Sequence, residues 1–120
     1  MFPLSEFFKD VDTLVAEKLN DWFADDIVIR FGNGPEIQGR ENAVNAIRGF
    51  TGGFKKMRHE FVDFVEQEDK IYLDSYVEYT FADDRLVRLP AVTSLRSQAA
   101  RIKSLKVFID LSPLYAAEPA

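Results

Sequence analysis

At 120 residues and 47% apolar composition, the chain is one domain with enough material to bury a core of its own. It has no cysteine, which excludes disulfides and thiolate chemistry and fits a cytoplasmic setting. Twenty acids against fifteen bases give a net charge of −5; the bases are dispersed, no apolar run reaches membrane-span length and no signal-peptide layout opens the chain, so neither a nucleic-acid nor a membrane partner is expected.

From Leu4 to Phe23 the apolar residues fall at 4, 7, 8, 11, 14, 15, 19, 22 and 23, which is helical spacing. This predicts a short helix over 4–9 and a longer one over 11–22, with Ser5, Asp10 and Asp12 as candidate caps. Residues 27–31 read as a short strand, and Asn33-Gly34-Pro35 turns the chain. A helix over 40–50 follows, with Ala43, Val44, Ile47 and Phe50 inward; Gly49, Gly52 and Gly53 weaken and then end it. Beyond Phe54 the period changes to two. Strands are predicted over 59–66, 71–81, 86–97 and 102–111, with turns between them. Pro90 lacks an amide donor, so it predicts a bulge or a gap in pairing. Residues 1–115 form the domain and 116–120 a frayed tail. Helices followed by a meander of long antiparallel strands make an α+β fold, and a curved sheet would leave a pocket between the layers. Both sheet faces are partly apolar, so a homodimer is expected.

The strand over 71–81 separates Ile71, Leu73, Val77, Tyr79 and Phe81 from Tyr72, Asp74, Tyr76, Glu78 and Thr80. The second set either meets water or lines a polar hollow. Lining a hollow, Glu78 is a desolvated carboxylate with a raised pKa, able to take a proton or orient a water, and Tyr76 donates to a ligand oxygen. His59 is either a satisfied wall residue or a proton shuttle. Asn33 is either a turn former or a polar contact at the mouth. Trp22, Phe23 and Phe61 read as core or pocket wall. One histidine without cysteine makes no zinc set, and the glycines lack phosphate-loop spacing, so no metal and no organic cofactor is expected.

The succession Trp22-Phe23-Ala24-Asp25-Asp26, Phe31-Gly32-Asn33, Gly39-Arg40-Glu41-Asn42-Ala43-Val44 and Val107-Phe108-Ile109-Asp110 resembles the SnoaL-like division of the NTF2-like superfamily, across essentially the whole chain. The resemblance implies a cone-shaped α+β barrel of the cystatin-like, NTF2-like kind, its N-terminal helices packed on a curved antiparallel sheet around a cavity. Relatives include limonene epoxide hydrolase, ketosteroid isomerase, polyketide cyclases and proteins of no known activity, so the fold does not dictate the chemistry. Against the epoxide hydrolase, Asn33 retains an asparagine that helps hold the attacking water, and Glu78 takes the place of the first catalytic aspartate. Phe31 stands for its tyrosine, Tyr76 for its arginine and Val107 for its second aspartate. The base position of ketosteroid isomerase falls on Phe31, which cannot accept a proton. The implied function is binding of an apolar or weakly polar small molecule. Isomerase, cyclase or hydrolase chemistry would run by proton transfer at Glu78, His59 and Tyr76, with Asn33, Trp22, Phe31, Phe61 and Val107 around the ligand. The alternative is a ligand-binding or dimerisation module without chemistry.

Overall fold

The computed structural model describes residues 1–115; the expected tail at 116–120 lies outside the described residues. Leu4, Phe7 and Phe8 share one stripe and are buried along helix α1 (Leu4–Val11). The longer helix expected over 11–22 does not form. The chain turns at 12–14, where Leu14 has a φ of 63°, and then makes only a 3-10 turn (Ala16–Leu19). Its apolar residues are buried without a helix: Ala16 and Leu19 in the turn, and Phe23 already in the first strand.

That strand is β1 (Phe23–Phe31), four residues longer at its start than the spacing predicts. A tight turn over residues 31–34 follows, with the Gly34 amide donating to the Phe31 carbonyl at 3.0 Å. Gly32 holds a φ of 55° there, and a Cβ on it would lie 3.0 Å from the Ile109 carbonyl oxygen. After the two-residue strand β2 (Ile37–Gln38) comes helix α2 (Arg40–Thr51), which buries Ala43, Val44, Ile47 and Thr51 and ends at Gly52. Four long strands complete the chain: β3 (Lys56–Gln67), β4 (Lys70–Thr80), β5 (Leu86–Gln98) and β6 (Arg101–Phe108).

The strands lie in the order β2-β1-β6-β5-β4-β3 in one open sheet, with the helices on one face. The sheet is mixed rather than purely antiparallel, because β1 runs parallel to β6, pairing Ile29 with Leu105 and Phe31 with Val107. Strand direction across so long a separation leaves no mark on local periodicity. Register shifts between Phe61 and Asp63, Arg96 and Ser97, and Phe23 and Val28 bend the sheet around the helices. Pro90 causes no bulge. It faces Tyr76 in an unbroken ladder with β4, and pairing to β6 begins only at Val92, so its missing donor falls in a gap.

The apolar face of β4 turns inward, as alternation requires, with Ile71, Leu73, Val77 and Tyr79 buried. Two apolar clusters fill the space between sheet and helices. One gathers α1, β1 and α2 onto Ile71, Leu73, Leu95, Ile102 and Leu105; the other gathers Met57, Val77, Tyr79, Leu89, Ala91 and Leu114. Among the described residues no helix is long and apolar enough to cross a membrane.

Candidate functional site

A cavity of about 70 Å³ lies where the two clusters meet. Helix α1 contributes Phe7, Phe8 and Val11 to its wall, and α2 contributes Ile47, Phe50 and Thr51. The sheet supplies Phe31, Met57, Tyr79, Leu105 and Val107, and the segment after β6 supplies Ile109 and Leu111. Only two of these side chains carry a hydroxyl. That of Thr51 donates to the Ile47 carbonyl at 2.9 Å, within its own helix. That of Tyr79 makes no side-chain hydrogen bond among the described residues, while the ring packs against Phe50 and Phe54 at 5.8 and 4.9 Å. Burial pushes the Tyr79 phenol well above its ordinary pKa, with smaller contributions from Tyr115 and the Asp12 carboxylate. The phenol therefore stays protonated and can only offer its hydrogen to, or accept one from, whatever occupies the cavity.

Of the residues expected around a ligand, Phe31 and Val107 line the cavity wall. Glu78 and Tyr76 do not. Both lie on the outer face of the sheet, the side away from the helices, because β4 buries its apolar alternate face. Arg58 and Arg88 flank Glu78 at 2.8 and 3.6 Å, and hydrogen bonding to Arg58 holds its carboxyl below the ordinary range. A raised pKa, expected for an unpaired buried acid, is thus reversed in sign. Arg88 also lies 4.2 Å above the ring of Tyr76 and pairs with Glu60, so the tyrosine belongs to a surface ion network.

Asn33 is exposed in the β1–β2 turn, away from the cavity wall. Trp22 donates its Nε1–H to Asp10 at 2.9 Å and packs on Phe2 and Phe7, outside the cavity. Phe61 meets Phe8 edge-on at 5.6 Å and lines a shallow groove instead.

That groove, between α1 and β3, also holds His59. Its ring Nδ1 lies 2.6 Å from Asp12 Oδ1, and its backbone N–H donates to Asp12 Oδ2 at 3.0 Å. The side chain is only 10% exposed, against 23% for Asp12. Phe8 packs against the imidazole at 4.5 Å, the two rings tilted by 47°, and is the one residue that lines both groove and cavity. Asp12, Phe8 and Tyr79 were not singled out by sequence. Tyr79 left a trace, as a hydroxyl on the apolar face of its strand; Asp12, which meets His59 from across the fold, left none beyond its place at a helix end.

The chain matches the SnoaL-like domain family over residues 4–105. Curated proteins yield no match. Among solved structures it is similar to a protein with a ketosteroid isomerase-like fold from Catenulispora acidiphila, solved with trimethylamine. That pair shares 16% identity over 93% of this chain and 89% of the other, with a TM-score of 0.82. An LEH-like epoxide hydrolase of M. tuberculosis superposes at 0.78, with 11% identity over 93% and 83% of the two chains. A protein from Jannaschia described as a SnoaL-like polyketide cyclase gives 0.74, with 15% identity over 87% and 80%. At these identities the likeness is one of fold.

Proposed function

The chain belongs to the SnoaL-like domain family, and on that premise we propose that it binds a small, mostly apolar organic molecule bearing one oxygen acceptor in the cavity beside Tyr79. The observation that carries this is the single uncommitted hydroxyl in an otherwise apolar wall. Such a cavity excludes charged and multiply polar ligands, since nothing in it would replace their lost water. One donor selects for a carbonyl, ether or hydroxyl group on a compact ring.

Cyclohexanone and methylcyclohexane form a suitable pair of probes. Titration followed by ligand NMR should show saturable binding of both. Tyr79→Phe should weaken cyclohexanone by about 3- to 10-fold, the value of one neutral hydrogen bond, and leave methylcyclohexane unchanged. Absence of saturable binding for either probe overturns the reading.

A second copy of the chain belongs to the same proposal. Tyr72, Tyr76, Val92 and Phe108 share the outer sheet face and are 38–58% exposed. An apolar patch rimmed by the Arg58–Glu78–Arg88–Glu60 charges suits an isologous contact, in the cytoplasmic setting expected of a cysteine-free chain.

A further inference from the structure

The groove between α1 and β3 is separate from the cavity and carries polar groups of its own. It measures about 350 Å³, at the small end of the range for sites that hold an organic molecule. Its wall has two halves of different character. Phe8 and Phe61, edge to face at 5.6 Å, supply aromatic surface. Ser5, Lys9 and Asp12 fall at i, i+4 and i+7 along α1 and its C-terminal cap, hence on one stripe, and His59 meets them from β3.

The hydrogen-bonding state of His59 follows from its partner. The Asp12 carboxylate accepts from the His59 backbone N–H at 3.0 Å and from the ring Nδ1 at 2.6 Å. A carboxylate only accepts, so Nδ1 carries the hydrogen, and in the neutral ring Nε2 keeps its lone pair. The side chain is only 10% exposed. Nε2 nevertheless makes no hydrogen bond among the described residues and is not one of the polar atoms sealed from solvent, so it opens on the groove that its ring lines. The Lys9 side chain, on the same groove, forms no ion pair or hydrogen bond among the described residues. The imidazole is an acceptor without a donor, and the ammonium beside it is a donor without an acceptor. Together they specify what can bind.

We propose that this groove is a second ligand site, selective for a phenol. Its hydroxyl donates to His59 Nε2 and accepts from Lys9 Nζ, while its ring packs on Phe61 and Phe8. Other common groups fail one half of this requirement. A carboxylate has no hydrogen for Nε2 and meets the charge of Asp12; a protonated amine meets the charge of Lys9 and cannot accept from it. An ether or ketone, the kind of group suited to the main cavity, satisfies Lys9 alone and leaves a nearly buried acceptor unmet. A hydroxyl does both from one atom. An aromatic hydroxyl is the stronger donor, and its flat ring suits a wall of two aromatic side chains.

Phenol and anisole, which present the same ring with and without a hydrogen on oxygen, make the test. With the full chain isotope-labelled, the ring nitrogens of its single histidine are followed by NMR in mildly alkaline buffer. Without ligand, Nδ1 should carry the hydrogen and Nε2 none. Phenol should shift the Nε2 resonance saturably, and anisole at the same concentrations should not. Lys9→Met, a change at an exposed position, should weaken phenol by about 5- to 10-fold, the value of one charge-assisted hydrogen bond at a partly solvated site. Tyr79→Phe should leave phenol binding unchanged, because Tyr79 lines the other hollow. The proposal is overturned by an Nε2 that carries the hydrogen, by no saturable shift with phenol, or by an equal response to anisole. Phenol binding that survives Lys9→Met but is lost in Tyr79→Phe overturns it as well, and assigns the ligand to the cavity.

Discussion

Glu78 lies between two guanidinium groups on the outer face, and that position determines how it responds to pH. Its carboxyl is held below the ordinary 4.5 by the Arg58 hydrogen bond, against an opposing desolvation effect. A folded-state pKa below the unfolded one means the ion pair contributes stability above the unfolded value and loses it as pH falls through the folded one. Glu78→Gln should therefore be less stable than the wild type at neutral pH, and the gap should close as denaturation is measured at pH values falling below 4.5. The same variant should leave cyclohexanone binding unchanged, since the carboxylate lies on the far side of the sheet. The sequence separated the two faces of this strand correctly; it did not say which met the helices. The more apolar face, interrupted only by Ser75, was the better guide, because burying Leu73, Val77 and Tyr79 outweighs a hollow for two polar side chains. Phe31 and Val107 were singled out through the family resemblance rather than by alternation, whereas Asp12 and His59 meet only through the tertiary fold.

The β5–β6 hairpin shows an element working against its own residues. Gln98 pairs with Arg101 across a two-residue turn, and both turn residues are alanines with positive φ, 51° at Ala99 and 66° at Ala100. Paired left-handed positions favour Asn-Gly, since a Cβ there costs on the order of 1–2 kcal/mol per residue. The double change Ala99→Asn and Ala100→Gly should stabilise the protein by about 1 kcal/mol after the extra freedom of glycine in the unfolded chain is subtracted. Chemical denaturation would measure it, and an unchanged or lower midpoint would show that the turn is not strained. Sequence alone placed this turn within a residue, as it did the ends of α2, β4 and β5, because strong alternation ends cleanly there; β3 begins three residues before the expected 59, and β6 ends three before the expected 111. It failed over 11–22, where 3-10 and strand geometry bury the same spacing that a helix would. The bulges beside Phe61 and Ser97 had no glycine or proline to announce them.

At the scale of the molecule, the proposed second copy of the chain would dock on the outer sheet face. If it pairs with a second copy, Phe108→Glu places two carboxylates into an apolar contact and should convert a dimer to a monomer in sedimentation velocity at tens of micromolar. Phe108 is 58% exposed, so the change leaves the core untouched. A wild type that sediments as a monomer removes the second copy from the proposal. The parallel seam between β1 and β6 has a different consequence, one of timing. The meander from β3 to β6 is stitched between sequence neighbours, but β1 finds its long partner only in the last strand of the chain. On a ribosome adding about 5–20 residues per second, the N-terminal third must wait several seconds with Phe7, Phe23, Ile27 and Ile29 unsheltered. During that interval the nascent chain presents its stickiest segment first and conceals it last, which makes its early life the period of greatest dependence on chaperones.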